Sequence, residues 1–372
     1  MKRATHLAMA LCLLGFGSAR AADAVKIGLM APITGQYASE GAEMKRNIDL
    51  VAEQLNAKGG VNGKKIEVIV EDDGGDARTA SLAAQRLSTK GVVAVIGTYG
   101  SSVTEASQGI FDEAKIIQVA NGSTAVRLTE KGLKYFLRTC PRDDEQGRVG
   151  AAAVQKVGAK KLAILHDNSA YSKGLADEIN GLVKGKTNVV FMDALTPKEQ
   201  DYSTILSKLK AAGPDLVVFT GYYPEAGLLL KQKKQMGWNV PFMGGDAINN
   251  PDLVKIAGKD AAAGFRFLSS PLPKDLNTPE TKGYVAAYQK KYGEAPASIY
   301  GLLAGDGLRV VAAAIEATKT TDPDKVRAYL SSGLKDFPGY TGKISFNAKG
   351  DRVGELYRVY EVAKTGDFVL QN

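Results

Sequence analysis

The chain has 372 residues, 44% of them hydrophobic and 24% charged, and 48 Lys and Arg against 40 Asp and Glu give a net charge of +8. That is enough chain for two domains with sizeable cores, and a mild positive balance without an arginine and aromatic cluster speaks against a nucleic-acid partner. Two cysteines and two histidines leave little for disulfide or histidine-based metal chemistry.

The first residues differ from the rest. Lys2 and Arg3 precede an apolar run from Leu7 to Phe16, and Ser18-Ala19-Arg20-Ala21 ends in an A-x-A site. This is the pattern of a secretory signal peptide over residues 1–21, cut after Ala21 and too short to span a membrane. The mature chain is expected to be exported and soluble, and loss of Lys2, Arg3 and Arg20 lowers its charge by three. Cys12 lies inside the apolar run, not at the cleavage site, which disfavours a lipoprotein anchor. Cys140 then stands alone at the end of the strand-like run 135–140, so no intramolecular disulfide is expected and a half-buried structural thiol is. His6 also leaves with the signal, and His166 ends an apolar strand, where a packed, hydrogen-bonded role is expected; no metal site is expected.

Residues 25–30 form the first strand, followed by a loop over 31–37. Met44, Ile48, Val51 and Leu55 recur at helical spacing, and Gly59-Gly60 ends that helix. Asn62-Gly63 turns into a strand over 65–70, and the acidic loop 72–76 leads into a helix over 77–89. Val92 to Ile96 is a continuous apolar run, the mark of a strand buried on both faces of a parallel sheet. The small, hydroxyl-rich loop 97–102 follows, then a helix to about Ile110 with Ser101 or Ser102 as its N-cap. The pattern repeats at once in the strand 116–119 and the polar loop 120–124. This βαβαβα order implies a parallel sheet wrapped by helices.

The layout restarts after Cys140. Helices are expected over 143–157, 172–183, 202–211 and 224–236, alternating with strands over 162–166, 188–194, 216–220 and 241–246. Two successive α/β units of similar layout read as two lobes. Helices over 280–292, 298–317 and 324–330 follow, and late strands over 342–346 and 355–362 flank the turn 347–351.

Helix N-termini favour anions, so two adjacent strands ending in hydroxyl-rich loops make a cradle for a small carboxylate or phosphate. The alternative is that each hydroxyl only caps its own helix. Gly28, Gly35 and Gly41 do not fit dinucleotide spacing, and the chain has neither a P-loop nor a G-x-S-x-G elbow. An exported α/β protein without catalytic motifs points to binding. Ligands of open α/β sheets sit at the carboxyl ends of the strands, where Ser101, Thr124, Tyr171, Tyr222 and Asp246 are found.

Several stretches carry a family resemblance: Asn56 to Gly63, Val95-Ile96-Gly97 with Ser101-Ser102, Leu137-Arg138-Thr139, and Gly221 to Glu225 with Phe242-Met243-Gly244. Over residues 25–362 the chain resembles the type I periplasmic substrate-binding proteins of branched-chain amino-acid ABC transporters, the leucine/isoleucine/valine-binding group. The resemblance implies an α/β fold of two Rossmann-like lobes with parallel central sheets and a three-segment hinge. Lobe 1 would hold residues 22–139 and 270–350, and lobe 2 residues 140–269 and 351–372, with crossovers near 137–141, 268–271 and 346–354. It also implies that Ser101 and Thr124 take the ligand carboxylate, helped by backbone N–H groups of Gly122, Ser123 and Thr124. Tyr171 and Tyr222 would close over the ligand, Asp246 would take its ammonium, and Tyr99 and Tyr37 would wall the side-chain pocket or serve as core and rim packing. Some members carry a disulfide beside the site; the matching positions here are Gly75 and Gly100.

The implied function is that of a periplasmic solute-binding protein. It would capture an amino acid, branched-chain or otherwise hydrophobic, and deliver it to an inner-membrane ABC permease. It would act as a monomer, without cofactor, nucleic acid or enzymatic activity. The alternative is a binding protein or sensor for an amide, urea or aromatic acid.

Overall fold

The computed structural model describes residues 24–371. The expected signal peptide over residues 1–21, with His6 and Cys12, lies outside the described residues. The chain builds two α/β halves around two separate sheets. In the first half, β1 (Val25–Ala31), α1 (Ala38–Ala57), β2 (Ile66–Asp72), α2 (Ala77–Ser88), β3 (Ala94–Ile96), α3 (Ser101–Glu113), β4 (Ile117–Ala120), the short α4 (Arg127–Glu130) and β5 (Phe136–Arg138) follow in order. Their strands form a parallel sheet of order β2-β1-β3-β4-β5. Every residue of β3 and β4 is buried, as continuous apolar strands covered by helices on both faces require. Met44, Ile48 and Val51 of α1 are buried, and Leu55 is partly buried against the same core.

The second half begins with α5 (Asp143–Val157), β6 (Lys161–His166), α6 (Ala170–Val183), β7 (Asn188–Ala194), α7 (Ser203–Ala212), β8 (Leu216–Phe219), α8 (Tyr223–Gln235) and β9 (Phe242–Gly244). Short helices α9 (Asp252–Ala257) and α10 (Lys259–Ala262) lead to β10 (Arg266–Ser269). The chain then returns to the first half as α11 (Pro279–Tyr292), α12 (Ile299–Thr318), α13 (Pro323–Ala328) and a small hairpin, β11 (Phe337–Gly339) with β12 (Gly342–Ile344). Helix α12 is buried along most of its length, and Asn62 and Asn121 donate to its Ile315 and Tyr300 carbonyls at 2.9 Å each. Finally β13 (Arg358–Val362) and β14 (Phe368–Leu370) complete a sheet of order β14-β13-β10-β9-β8-β6-β7.

Five strands of this second sheet are parallel, but β13 and β14 run antiparallel at its edge. The central strands are parallel as expected, and the antiparallel pairings of β10 with β13 and of β13 with β14 need no helical crossover. The expected strand 342–346 stops at Ile344, and 355–362 becomes a strand at Arg358. Strand β9 stops at Gly244, so Asp246 stands on a single 3₁₀ turn, not on a strand tip. Cys140 is fully buried, not half-buried, with its Sγ 3.4 Å from the Ser123 carbonyl, and burial pushes its thiol up to about 12. His166 is buried, and its Nδ1 accepts the Asn168 N–H at 3.2 Å, as expected of a packed histidine.

Two of the three passages between halves are tied together. Arg138 and Asp351 are buried and paired at 2.7 Å, and Arg142 reaches the second Asp351 oxygen at 2.9 Å. The Arg138 guanidinium also donates to the carbonyls of Ser123 and Ala125 at 3.2 and 2.9 Å. One buried cation thus braces the first and third passages and the loop after β4.

Candidate functional site

The loop after β3 begins at Gly97, whose φ of +124° and the Met30 carbonyl 2.0 Å from an ideal Cβ admit only glycine. It delivers the chain to α3, whose N-cap is Gly100 without a side-chain cap bond. Ser101 and Ser102 therefore do not cap α3, contrary to expectation. They occupy its first turn, where N–H groups have no intrahelical partner. Ser101 Oγ instead accepts the Ala125 N–H at 3.2 Å, joining the two loops, and Ser102 Oγ accepts the Ala170 N–H of the other half at 2.9 Å.

In the loop after β4 the residues divide by role. Gly122 donates its N–H to Thr98 at 3.2 Å, and the Ser123 hydroxyl joins a buried network with Thr98 and Thr104, 2.5 Å from Thr104. The Gly122 N–H, one of the three backbone donors expected at the carboxylate, is thus engaged within the protein, and so is the Ser123 hydroxyl. Thr124 is different: its Oγ1 is buried without a partner at hydrogen-bond distance, and the protein group it faces is the Asp143 carboxyl. Among the described residues the Ser123 and Thr124 N–H groups also make no hydrogen bond. Thr124 caps no helix, since α4 starts at Arg127 behind Val126. A buried hydroxyl and two free N–H groups, beside the start of α3, form a donor set suited to a carboxylate.

The opposite wall comes from the second half. Tyr222 precedes α8, and its ring lies 4.8 Å from Tyr37, 5.8 Å from Tyr99 and 5.4 Å from Tyr171. Tyr99 also meets Tyr37 and Tyr300, at 5.7 and 5.0 Å. The tyrosines expected from sequence are thus one aromatic cluster crossing the two halves. Glycines leave them room: an ideal Cβ on Gly100 would stand 3.2 Å from Tyr222 Oη, and on Gly75, 2.5 Å from the Tyr37 ring. Polar contacts also cross between the halves, from Tyr223 to Ser39 and Gln36 and from Asn250 to Glu40.

Asp246 is buried, and Gln146 and Tyr357 hold it. Gln146 Oε1 accepts its N–H at 2.7 Å, Gln146 Nε2 donates to Oδ1 at 3.3 Å, and Tyr357 Oη donates to Oδ2 at 3.0 Å. Burial pushes its carboxyl above the usual range despite these donors. A second acid lies beside it. Asp143 is 1% exposed, and its Oδ1 accepts from the same Gln146 nitrogen at 2.8 Å, while its N–H donates to the Thr124 carbonyl at 2.9 Å. Burial, then the neighbouring Asp246 charge, push Asp143 well above the carboxylate range. The cleft therefore sets a hydroxyl and N–H group beside a pair of acids, joined to it through Asp143 and Thr124, with tyrosines from both halves alongside.

A family model described as "Periplasmic binding protein" matches residues 24–367. The chain belongs to the periplasmic binding protein family. Two curated relatives align along nearly the whole binding protein. One is the leucine-, isoleucine-, valine-, threonine- and alanine-binding protein of Pseudomonas aeruginosa, 34% identical over 97% of this chain and 96% of that one. The other is the Leu/Ile/Val-binding protein BraC3 of Rhizobium johnstonii, 33% identical over 96% of each. Among solved structures, the leucine-binding protein LivK of Thermotoga maritima superposes with a TM-score of 0.87 at 30% identity, covering 94% of this chain and 98% of that one. LivJ of Streptococcus pneumoniae in complex with isoleucine gives 0.85 at 29%, covering 94% and 99%. The fold is thus type I periplasmic binding protein, as the resemblance implied.

Sequence reading passed over Asp143, Gln146, Tyr300 and Tyr357. Asp143 and Gln146 were legible as one face of the first turn of α5, three residues apart, directly after a passage between halves. Tyr300 and Tyr357 sit in a helix and before a strand with no local feature to set them apart from core aromatics.

Proposed function

We propose that the protein captures an amino acid, branched-chain or another hydrophobic one, in the cleft between its halves and hands it to an inner-membrane ABC permease. The observation that carries this reading is the polarity of the cleft: free donors at Thr124 and the start of α3, two buried acids at Asp143 and Asp246, and aromatic walls. A zwitterion matches that order, with its carboxylate on Ser101 and Thr124 and its ammonium on Asp246. Tyr171 and Tyr222 cover it, and Tyr37 and Tyr99 bound its side chain. Relatives bearing leucine-, isoleucine- and valine-binding names support the side-chain class. An aromatic acid without an amine fits less well, because it leaves two buried carboxylates with no cation.

In this reading residues 22–139 with 270–350 form one lobe and 140–269 with 351–372 the other. They close by a hinge motion at the three passages, as a monomer exported by cleavage of residues 1–21. The protein binds and releases its ligand without chemistry. A thermal-shift screen of the twenty amino acids, small amides and benzoate tests it: leucine, isoleucine or valine should raise Tm most, and a response to amides or benzoate alone would overturn it.

A further inference from the structure

The two buried acids exceed what one ammonium and one carboxylate-binding end require. Asp143 and Asp246 accept from one Gln146 nitrogen, at 2.8 and 3.3 Å, which holds their first oxygens within about 6 Å of each other, inside the range at which like charges repel ionisation. Asp143 Oδ2 is buried with no partner at hydrogen-bond distance, and the Thr124 hydroxyl that faces this carboxyl is a neutral donor that brings no charge. Among the described residues no Lys, Arg or His donates to either carboxylate.

The groups facing the pair do not supply a counter-charge. On α5, Glu145 is turned away to the Tyr357 N–H at 2.9 Å. From β5 the nearest cation, Arg138, is engaged by Asp351 at 2.7 Å. Cys140 is a neutral buried thiol, and the phenols of Tyr171, Tyr222, Tyr300 and Tyr357 are all pushed up by burial. Two like charges this close and this dry do not both ionise.

We propose that Asp143 and Asp246 form one two-carboxylate subsite that shares a single proton in the ligand-free protein and releases it to water when the ligand ammonium takes its place. The inference rests on the amino-acid reading and adds a role for Asp143. Charge balances: one positive charge enters as R–NH₃⁺, one leaves as H⁺, and the pair goes from singly to doubly ionised. Burial holds both carboxyls above their ordinary range, in keeping with a retained proton. Because binding expels a proton, affinity should rise with pH, by up to about tenfold per unit, until the free pair has lost its proton.

The test is titration calorimetry with L-leucine at about pH 6, in buffers of different ionisation enthalpy. The slope of observed enthalpy against buffer enthalpy should correspond to release of about one proton per ligand. In Asp143→Asn the slope should fall close to zero while L-leucine still binds. A slope near zero in the parent, or an unchanged slope in Asp143→Asn, would overturn the proposal. Should that variant fail to fold, infrared spectroscopy of the parent decides: a protonated-carboxyl band must be present without ligand and lost with it, and its absence from the ligand-free protein would overturn the shared proton. If neither L-leucine nor any other amino acid binds, the amino-acid reading fails instead, and the infrared band still judges the pair.

Discussion

At the residue scale, the cleft separates side chains that serve the scaffold from those left free. Ser123 and Thr124 are neighbours with similar chemistry, yet the Ser123 hydroxyl is locked among Thr98 and Thr104 while Thr124 Oγ1 has no partner at hydrogen-bond distance. Thr124→Val keeps the shape and removes the hydroxyl. Calorimetry should find a loss of about 1.5–3 kcal/mol, or roughly 10- to 150-fold in affinity, with an unchanged melt. Affinity equal to the parent's would remove Thr124 from the site. Gly245 offers a second test. Its φ of −78° suits any residue, but an ideal Cβ would stand 2.2 Å from Tyr171 Oη and 2.9 Å from Gln146 Oε1. Gly245→Ala should therefore displace the two groups beside Asp246 and weaken binding by at least about tenfold, or 1.4 kcal/mol. If it binds as the parent does, the positioning of Asp246 by Gln146 is wrong.

At the element scale, the strands were legible because apolar runs bounded by glycines and polar loops have one stable use in a soluble α/β chain. The run 92–96, the strand 116–119 and the helices behind them needed nothing beyond local pattern. What was hidden depended on long-range partners. Ser101 looks like a cap in sequence, but Gly100 takes that place and Ser101 reaches the other loop. Asp143 is one of three acids opening α5, and only the return of Asp246 from a hundred residues away makes it part of a site. The edge strands β13 and β14 owe their direction to the last passage between halves, which periodicity does not encode.

The Arg138–Asp351 pair belongs to this scale too. Burial works against the Asp351 carboxylate, but Arg138, Arg142 and Thr129 outweigh it and hold its pKa below the usual range. A depressed pKa gives stability that is present above the ordinary carboxylate range and lost as pH falls through the folded value. Asp351→Asn strands a buried guanidinium and should cost about 3–5 kcal/mol in urea denaturation at neutral pH, with the deficit shrinking in acid. A deficit below 1 kcal/mol would show that the pair does not hold the passages.

For the whole molecule, the two halves meet through the tyrosine cluster and through the polar contacts of Tyr223 and Asn250. Glu40 is fully buried there and accepts from Ser298 at 2.6 Å in its own half and Asn250 at 2.7 Å in the other. Burial pushes it from 4.5 up to about 7. A raised pKa contributes stability that is full below the ordinary value and lost as pH climbs through the folded one. Relative to Glu40→Gln, the parent should therefore lose on the order of 3 kcal/mol between about pH 4.5 and 7. Parallel stability profiles for the two proteins would contradict this. Ligand contacts to both halves should also draw them together, so small-angle scattering should show a smaller radius of gyration with saturating ligand. An unchanged profile despite proven binding would count against closure.

The central claim is that the acidic end of the cleft exists to pair with an α-ammonium. A two-by-two calorimetric cycle tests it most directly, setting L-leucine and its des-amino analogue 4-methylpentanoate against the parent and Asp246→Asn. The account predicts that the substitution weakens L-leucine by about 2–5 kcal/mol and leaves 4-methylpentanoate nearly unaffected or improved. A coupling near zero, with both ligands weakened alike, would contradict it.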